Sequence, residues 1–165
     1  MNWDMIGAVA ELLGAIGVVA SLIYVATQLK LASNIASESA YRDLFTHMNH
    51  HFHEMLAPEN RKILLAGYRD LSQLDAEQHM VFDLLMISYL NMVESSLLSN
   101  EADVIGDDLM GNWSHHVSTR CMCYPGAVEW WKEAKPLFDR RTQKWIDDRI
   151  ANTSIENAYW KLDST

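Results

Sequence analysis

The segment HMNHHFHE contains side chains of the types that bind transition metals or titrate near neutral pH. These residues are His47, His50, His51 and Glu54. On a helix they lie on one side, and pairs four residues apart are close enough for two ligands to reach one metal ion. Two ligands do not complete a zinc site, so a further one would have to come from His115, His116 or another subunit. Zinc or another transition metal is one hypothesis, and a solvated, pH-responsive face is the other.

Glu11 is the one charged residue between Met5 and Leu29, a stretch that is otherwise rich in apolar residues. A carboxylate inside a membrane usually faces a bundle interior or a water-filled path and is then functional. Leu12 to Leu29 is long enough to cross the bilayer by itself, so Glu11 can instead lie at the outer surface. Both positions stay open, and the first would make Glu11 an intramembrane acid near the lumen of a pore.

Small side chains recur at alternating spacings of three and four residues along the same stretch. They are Gly7, Ala10, Gly14, Gly17 and Ser21. This is the spacing of the contact positions in a heptad repeat, and small residues let two helix backbones approach closely in lipid. The pattern predicts an oligomer interface with a second copy or with another transmembrane helix. The alternative is that small residues are simply common in membrane helices.

Motifs for enzyme catalysis are absent from the sequence. Cys121 and Cys123 are spaced for neither a zinc knuckle nor a redox pair, and Asp83 and Glu94 are too far apart on one helix for paired acid-base work. The sequence contains no Gly-rich phosphate loop, no His-Glu-x-x-His motif and no pair of Glu-x-x-His motifs. We therefore predict that the protein is not an enzyme and that it needs no cofactor, except for the zinc or other transition metal considered above.

Residues 1–30 are predicted to form a transmembrane helix with a short N-terminus outside. Leu12 to Leu29 contains no charged residue, and at about 1.5 Å per residue it spans about 27 Å, close to the hydrocarbon thickness of a bilayer. Trp3 and Tyr24 lie near the ends, where aromatic rings favour the headgroup level. A cleavable signal peptide would begin with a basic segment, whereas MNWD is acidic, so we expect this segment to stay in the mature protein.

Charge predicts the side of the membrane and excludes one class of partner. No Lys or Arg precedes the span, whereas Lys30 ends it and Arg42 follows. The positive-inside tendency then predicts an outside N-terminus and a cytoplasmic C-terminal domain at the bacterial inner membrane. A net charge of -9 without a long basic run argues against nucleic acid or anionic lipid as the main partner. Cys121 and Cys123, with no third cysteine, exclude a disulfide-stapled extracellular framework.

The chain after the span is predicted to be an all-helical bundle, residues 31–152, followed by a polar C-terminal tail, residues 153–165. The membrane helix either continues past Lys30 or restarts after a break near residues 33–34, and its apolar face then includes Phe45, Met48 and Phe52. The fold class that follows is all-α, with one N-terminal transmembrane helix and a cytoplasmic helical bundle.

Local signals predict where the later helices begin and end. Pro58 suits the first position of a short helix. Asp75 followed by Gln78 is a capping box, and it opens a long apolar helix that we place in the middle of the bundle. A further helix is expected to run from Gly106 until Pro125 stops it, and two short helices are expected on either side of Pro136.

Several residues carry a likeness to a known family. Trp3 is followed by IGAVAELLGAIGVVASLIYVATQ, and the pattern continues with Glu94, Trp113, PGAVEWW and Phe138. By these residues the chain resembles a widespread, uncharacterised bacterial family of short proteins with an N-terminal transmembrane helix and a helical cytoplasmic domain. The resemblance covers nearly the whole chain but not the histidines of HMNHHFHE. It implies the layout given above and supplies no activity.

We predict a single-pass inner-membrane protein that acts through helix-helix association, as a homo-oligomeric scaffold or as an accessory subunit of a membrane complex. Its expected partners are the lipid bilayer and either a second copy or another transmembrane helix. One alternative is a homo-oligomeric pore or ion-conducting assembly with Glu11 near the lumen. The other alternative is metal or pH sensing through the histidine-rich helix face.

Overall fold

The structure is a computed structural model that describes residues 3–162, without the side chains of Asp4 and Met5. The first two residues of the expected span and residues 163–165 of the expected tail lie outside this range. The described chain contains six α-helices and no β-strand, which confirms the all-α prediction. The helices are α1 Trp3–Leu56, α2 Pro58–Arg69, α3 Ala76–Glu101, α4 Asp107–Arg120, α5 Pro125–Ala134 and α6 Arg140–Ala151. Short 3-10 turns occupy Leu71–Gln73, Lys135–Leu137 and Ile155–Asn157.

The chain divides into two compact units between Ser39 and Ala40. Helix α1 passes through both units without interruption, so of the two sequence alternatives the continuous helix is observed and the break near residues 33–34 is not. The physical reason is the absence of helix-breaking residues, since neither Gly nor Pro occurs between Gly17 and Pro58.

In the first unit, α1 exposes its apolar side chains. The large hydrophobic residues from Ile6 to Ile35 have between 48% and 66% of their surface accessible. Two described helices, α1 and α3, are long and apolar enough to cross a membrane by length and composition alone. They differ in burial, because none of the most apolar window of α1 is buried whereas 44% of that of α3 is. Helix α3 is therefore a core helix, whereas the most apolar stretch of α1 is covered by no other described residue.

Helix α3 forms the centre of the second unit, as its sequence predicts. Phe82, Met86, Leu90 and Val93 repeat at helical spacing and are almost completely buried, because α3 packs against α2, α4 and α6. The capping box at its start is present, with the Asp75 carboxylate accepting from the Gln78 backbone N–H and the Gln78 side chain accepting from the Asp75 backbone N–H.

Helices α2 and α5 approach each other closely through two glycines. A Cβ atom built on Gly126 would lie 1.7 Å from the carbonyl oxygen of Gly67. A Cβ atom on Gly67 would lie 2.4 Å from the Phe82 ring. Beside this crossing, the rings of Tyr68 and Tyr124 stack with their centroids 4.9 Å apart. Glycine is thus required at position 67 of α2 and at position 126 of α5.

Two boundaries differ from those predicted. Helix α4 ends at Arg120, and Pro125 occupies the first turn of α5, so this proline starts a helix instead of stopping one. The segment expected to be a tail is packed against the bundle as far as it is described. Ala158 is buried, and the Tyr159 backbone N–H donates to the Thr119 carbonyl at 2.8 Å. The polar side chains that suggested a tail, such as Ser154, Glu156 and Asn157, are exposed.

Candidate functional site

The histidines of α1 do not share one exposed face. His51 is buried, with 5% of its surface accessible, while His47, His50 and Glu54 are exposed. The packed face of α1 follows the spacing of Leu44, Met48, His51 and Met55, and Phe45 lies outside it with 44% of its surface accessible. The predicted grouping was therefore wrong for His51. The prediction grouped His51 with its polar neighbours because histidine is polar, although the position of His51 lies on the apolar face of α1.

A groove of about 680 Å³ lies between α1 and α3. His47, His50 and His51 line it from α1, and the small polar side chains of Ser88, Asn91 and Ser95 line it from α3, whereas Glu54 does not. Within residues 3–162, no three His, Cys, Asp or Glu side chains are grouped so that they could hold a metal ion. The groove thus brings three of the four predicted ligands to one surface and offers them hydroxyl and amide groups.

A second, more apolar cavity of about 590 Å³ lies on the other side of His51. We refer to it as the apolar cavity. Its walls come from the end of α1, from α2, α3 and α4, and from the segment after α6. The lining side chains are His51, Phe52, Met55, Leu56, Arg61, Leu64, Leu65, Tyr68, Leu85, Met86, Tyr89, His116, Arg120, Cys121 and Trp160. Its size and apolar lining are those of small-molecule sites in proteins.

Tyr89 and His116 form the main hydrogen bond in the wall of this cavity. The Tyr89 hydroxyl and His116 Nδ1 are 2.7 Å apart. The hydroxyl has no other acceptor among the described residues, so we assign it as the donor to Nδ1. The proton of the neutral imidazole then lies on Nε2, which remains available to donate a hydrogen bond. The rings of His51 and Tyr89 stack at 5.9 Å, which holds α1 against α3.

Both imidazoles of the cavity are neutral at pH 7. Burial, together with the positive charge of Arg120 and the neighbouring His115, lowers the pKa of His116 to about 4. Burial also lowers the pKa of His51, an effect that the carboxylate of Glu54 opposes and His50 adds to. The positive charge in the wall therefore comes from its arginines, Arg61 and Arg120.

The remaining cysteines and carboxylates considered in the sequence are either buried or held in hydrogen bonds between helices. Burial raises the pKa of Cys121 to about 12 and that of Cys123 to about 11, so neither thiol is a nucleophile near neutral pH. Asp83 accepts a hydrogen bond of 2.8 Å from the indole N–H of Trp130. Glu94 accepts one of 2.8 Å from the backbone N–H of Asp139. These two carboxylates join α3 to α5 and to the start of α6 and do not face each other.

We expect the folded bundle to lose stability as the pH falls from about 6.5 to about 4, because His116 binds a proton more readily in the unfolded chain. The pKa of His116 is lower in the folded chain than in the unfolded chain. The stability that the neutral ring contributes is therefore complete above pH 6.5 and is lost as the pH falls to about 4. After allowance for the exposed part of the ring, the loss is about 2 kcal/mol. Urea unfolding followed by tryptophan fluorescence at pH 7 and pH 4 measures it.

His116→Asn should reduce this pH dependence, since an amide oxygen can accept from Tyr89 but does not titrate. His115→Asn, at the adjacent exposed position, is the matched control and should keep the slope of the wild type. Equal slopes for all three proteins would show that the His116 ring does not carry the effect.

The residues predicted to form a helix-helix interface all lie in the first unit. Gly7, Ala10, Gly14, Gly17 and Ser21 are exposed on α1, as is Glu11. A Cβ atom on any of the three glycines would meet no atom within 4 Å. Within the described chain, the small-residue stripe is thus open to an approaching helix and in contact with none.

The apolar cavity was not foreseen from the sequence. Its polar residues, such as Arg61, Tyr89 and His116, come from three helices and follow no spacing that a sequence motif could show. The only signal was the composition of α1 and α3, whose apolar faces carry isolated His and Tyr residues at core positions. The chain matches no protein-family model, no curated protein and no solved structure.

Proposed function

We propose that this protein is a bilayer-anchored helical domain that acts through association of its N-terminal helix. The observation that carries the proposal is the exposure of every large hydrophobic side chain from Ile6 to Ile35. Burying one such side chain is worth about 1.5–3 kcal/mol, so leaving the whole series in water is strongly unfavourable. A bilayer removes this surface from water along its full circumference, which a single protein partner does not.

A second copy of the chain is the partner that we assign to the small-residue stripe, defined by Gly7, Ala10, Gly14, Gly17 and Ser21. Between helices in lipid, close backbone contact replaces the hydrophobic effect as the attraction. The stripe supplies such a contact surface, and its glycines have no neighbouring side chain to displace. The protein then acts as an oligomeric scaffold or accessory subunit.

The orientation that we propose follows from the charges beside the span. Lys30 and Arg42 come after it, and no basic residue precedes it. The bundle of α2 to α6 would then lie in the cytoplasm of a bacterium, with the N-terminus on the outer side of the inner membrane.

Cell fractionation with reporters tests both parts of the proposal. The full chain should remain in the membrane pellet after washing with alkaline carbonate, and a C-terminal reporter that is active only in the cytoplasm should give signal. The variant with Asn2→Lys, Asp4→Lys and Lys30→Gln moves the positive charge ahead of the span, so it should shift signal to a reporter active only in the periplasm. Recovery of the wild-type chain in the soluble fraction would overturn the anchoring, and an unchanged reporter pattern would overturn the charge argument.

A further inference from the structure

The apolar cavity differs in charge from the rest of the protein. The whole chain has a net charge of -9, yet no Asp or Glu among the described residues lines this cavity, whereas Arg61 and Arg120 do. The exposed Glu54 is near enough to influence His51 but is not part of the lining. Two cationic side chains without an acidic one in the lining favour an anion at this place.

The cavity also has an exposed end and a buried end. Met86 and Cys121 each have 1% of their surface accessible, and they form its floor. Leu56, with 65% accessible, and the exposed Arg61 are at its opening. A ligand that enters would place its apolar part on the floor and leave its other end beside a guanidinium.

Neither guanidinium is neutralised within the described chain. None of the ion pairs between described residues involves Arg61 or Arg120. The Arg120 guanidinium carbon lies 4.0 Å from the centroid of the Tyr159 ring and 5.7 Å from that of Trp160. These rings contact the flat face of the guanidinium. The N–H groups at its edge stay available, and a planar guanidinium binds carboxylate or phosphate through that edge.

We propose that the apolar cavity binds an amphipathic anion, a hydrocarbon chain that ends in a single carboxylate or phosphate group. The chain occupies the space between α1, α2 and α3, and its anionic group contacts Arg61 and Arg120. The neutral ring of His116 also lines the cavity. The volume of about 590 Å³ falls within the range of sites for drug-sized ligands, about 300–1,000 Å³. This inference does not depend on how α1 associates.

Binding of a fluorescent fatty acid, 11-(dansylamino)undecanoate, tests the proposal. The full chain is placed in discs of zwitterionic phospholipid, and empty discs give the background signal. We expect saturable binding that dodecanoate displaces, and much weaker binding of the methyl ester of the probe. Arg61→Gln should weaken binding about tenfold, because a charge-assisted contact is lost. Arg61 is exposed and in no ion pair, so the variant should fold, and the exposed Arg140→Gln is its matched control.

The same measurement distinguishes the source of the ligand. Displacement of the probe by anionic phospholipid in the discs identifies a membrane lipid, and displacement by dodecanoate alone identifies a free fatty acid. Either result supports an amphipathic anion. Equal affinity for the acid and its methyl ester, an unchanged affinity of Arg61→Gln, or no saturable binding above empty discs would overturn the proposal.

Discussion

Replacing Gly126 by alanine should lower the free energy of unfolding of the helical bundle by about 3 kcal/mol, the upper end of what overpacking usually costs. The added Cβ atom would lie 1.7 Å from the carbonyl oxygen of Gly67 and 2.9 Å from its carbonyl carbon. Both are backbone atoms of α2, so no side-chain rotation relieves the clash. Helix α5 would have to move away from α2, which disturbs the stacking of Tyr68 on Tyr124.

Gly111→Ala is the matched control for this substitution. Gly111 is also helical, but a Cβ atom there meets nothing within 4 Å. This variant should be more stable than wild type by about 0.5–1 kcal/mol, the helix propensity difference. Urea unfolding of the full chain in lipid discs, followed by tryptophan fluorescence, measures both variants. A Gly126→Ala protein as stable as wild type would contradict the close crossing of α2 and α5.

Local signals in the sequence were sufficient for the helices but not for the contacts between them. The capping box at Asp75 and the proline at position 58 act within one turn of the chain, and both predictions are confirmed. The prediction for Pro125 is wrong because a proline can either end a helix or begin the next one. Its role is decided by the buried turn of Cys121 to Tyr124, which the spacing of residues does not reveal.

The candidate site depends on partners that are distant in sequence. His51 was expected to be exposed with its polar neighbours, but the ring of Tyr89 on α3 stacks on it and encloses it. Whether a histidine on an apolar face is buried depends on such a partner, and the sequence pattern of α1 does not identify that partner. The apolar cavity has the same origin, because it is the space left where four helices and the C-terminal segment meet.

The double substitution Gly14→Leu with Gly17→Leu is expected to weaken self-association more than a hundredfold, given the partner that we propose for the small-residue stripe. Each leucine adds bulk where two backbones would nearly touch, and overpacking costs about 1–3 kcal/mol per site. Two sites together cost about 2–6 kcal/mol, and the midpoint of about 4 kcal/mol exceeds the roughly 2.8 kcal/mol that corresponds to a factor of one hundred. Because leucine makes the span more apolar, insertion into the membrane should be retained.

The measurement is the oligomer mass in mild detergent, together with crosslinking of single cysteines placed at position 14 or 17 in native membranes. The control carries Ala8→Leu with Ala15→Leu, which adds apolar bulk about 130° around the helix from the centre of the stripe and should leave the oligomer intact. A monomer from the first variant and an oligomer from the control would support the stripe as the interface. An unchanged oligomer without crosslinks would mean that the glycines do not mediate assembly, and α1 would then serve only as an anchor. If wild-type oligomers also conduct ions and Glu11→Gln alters that conductance, the assembly is a pore and Glu11 lies near its lumen.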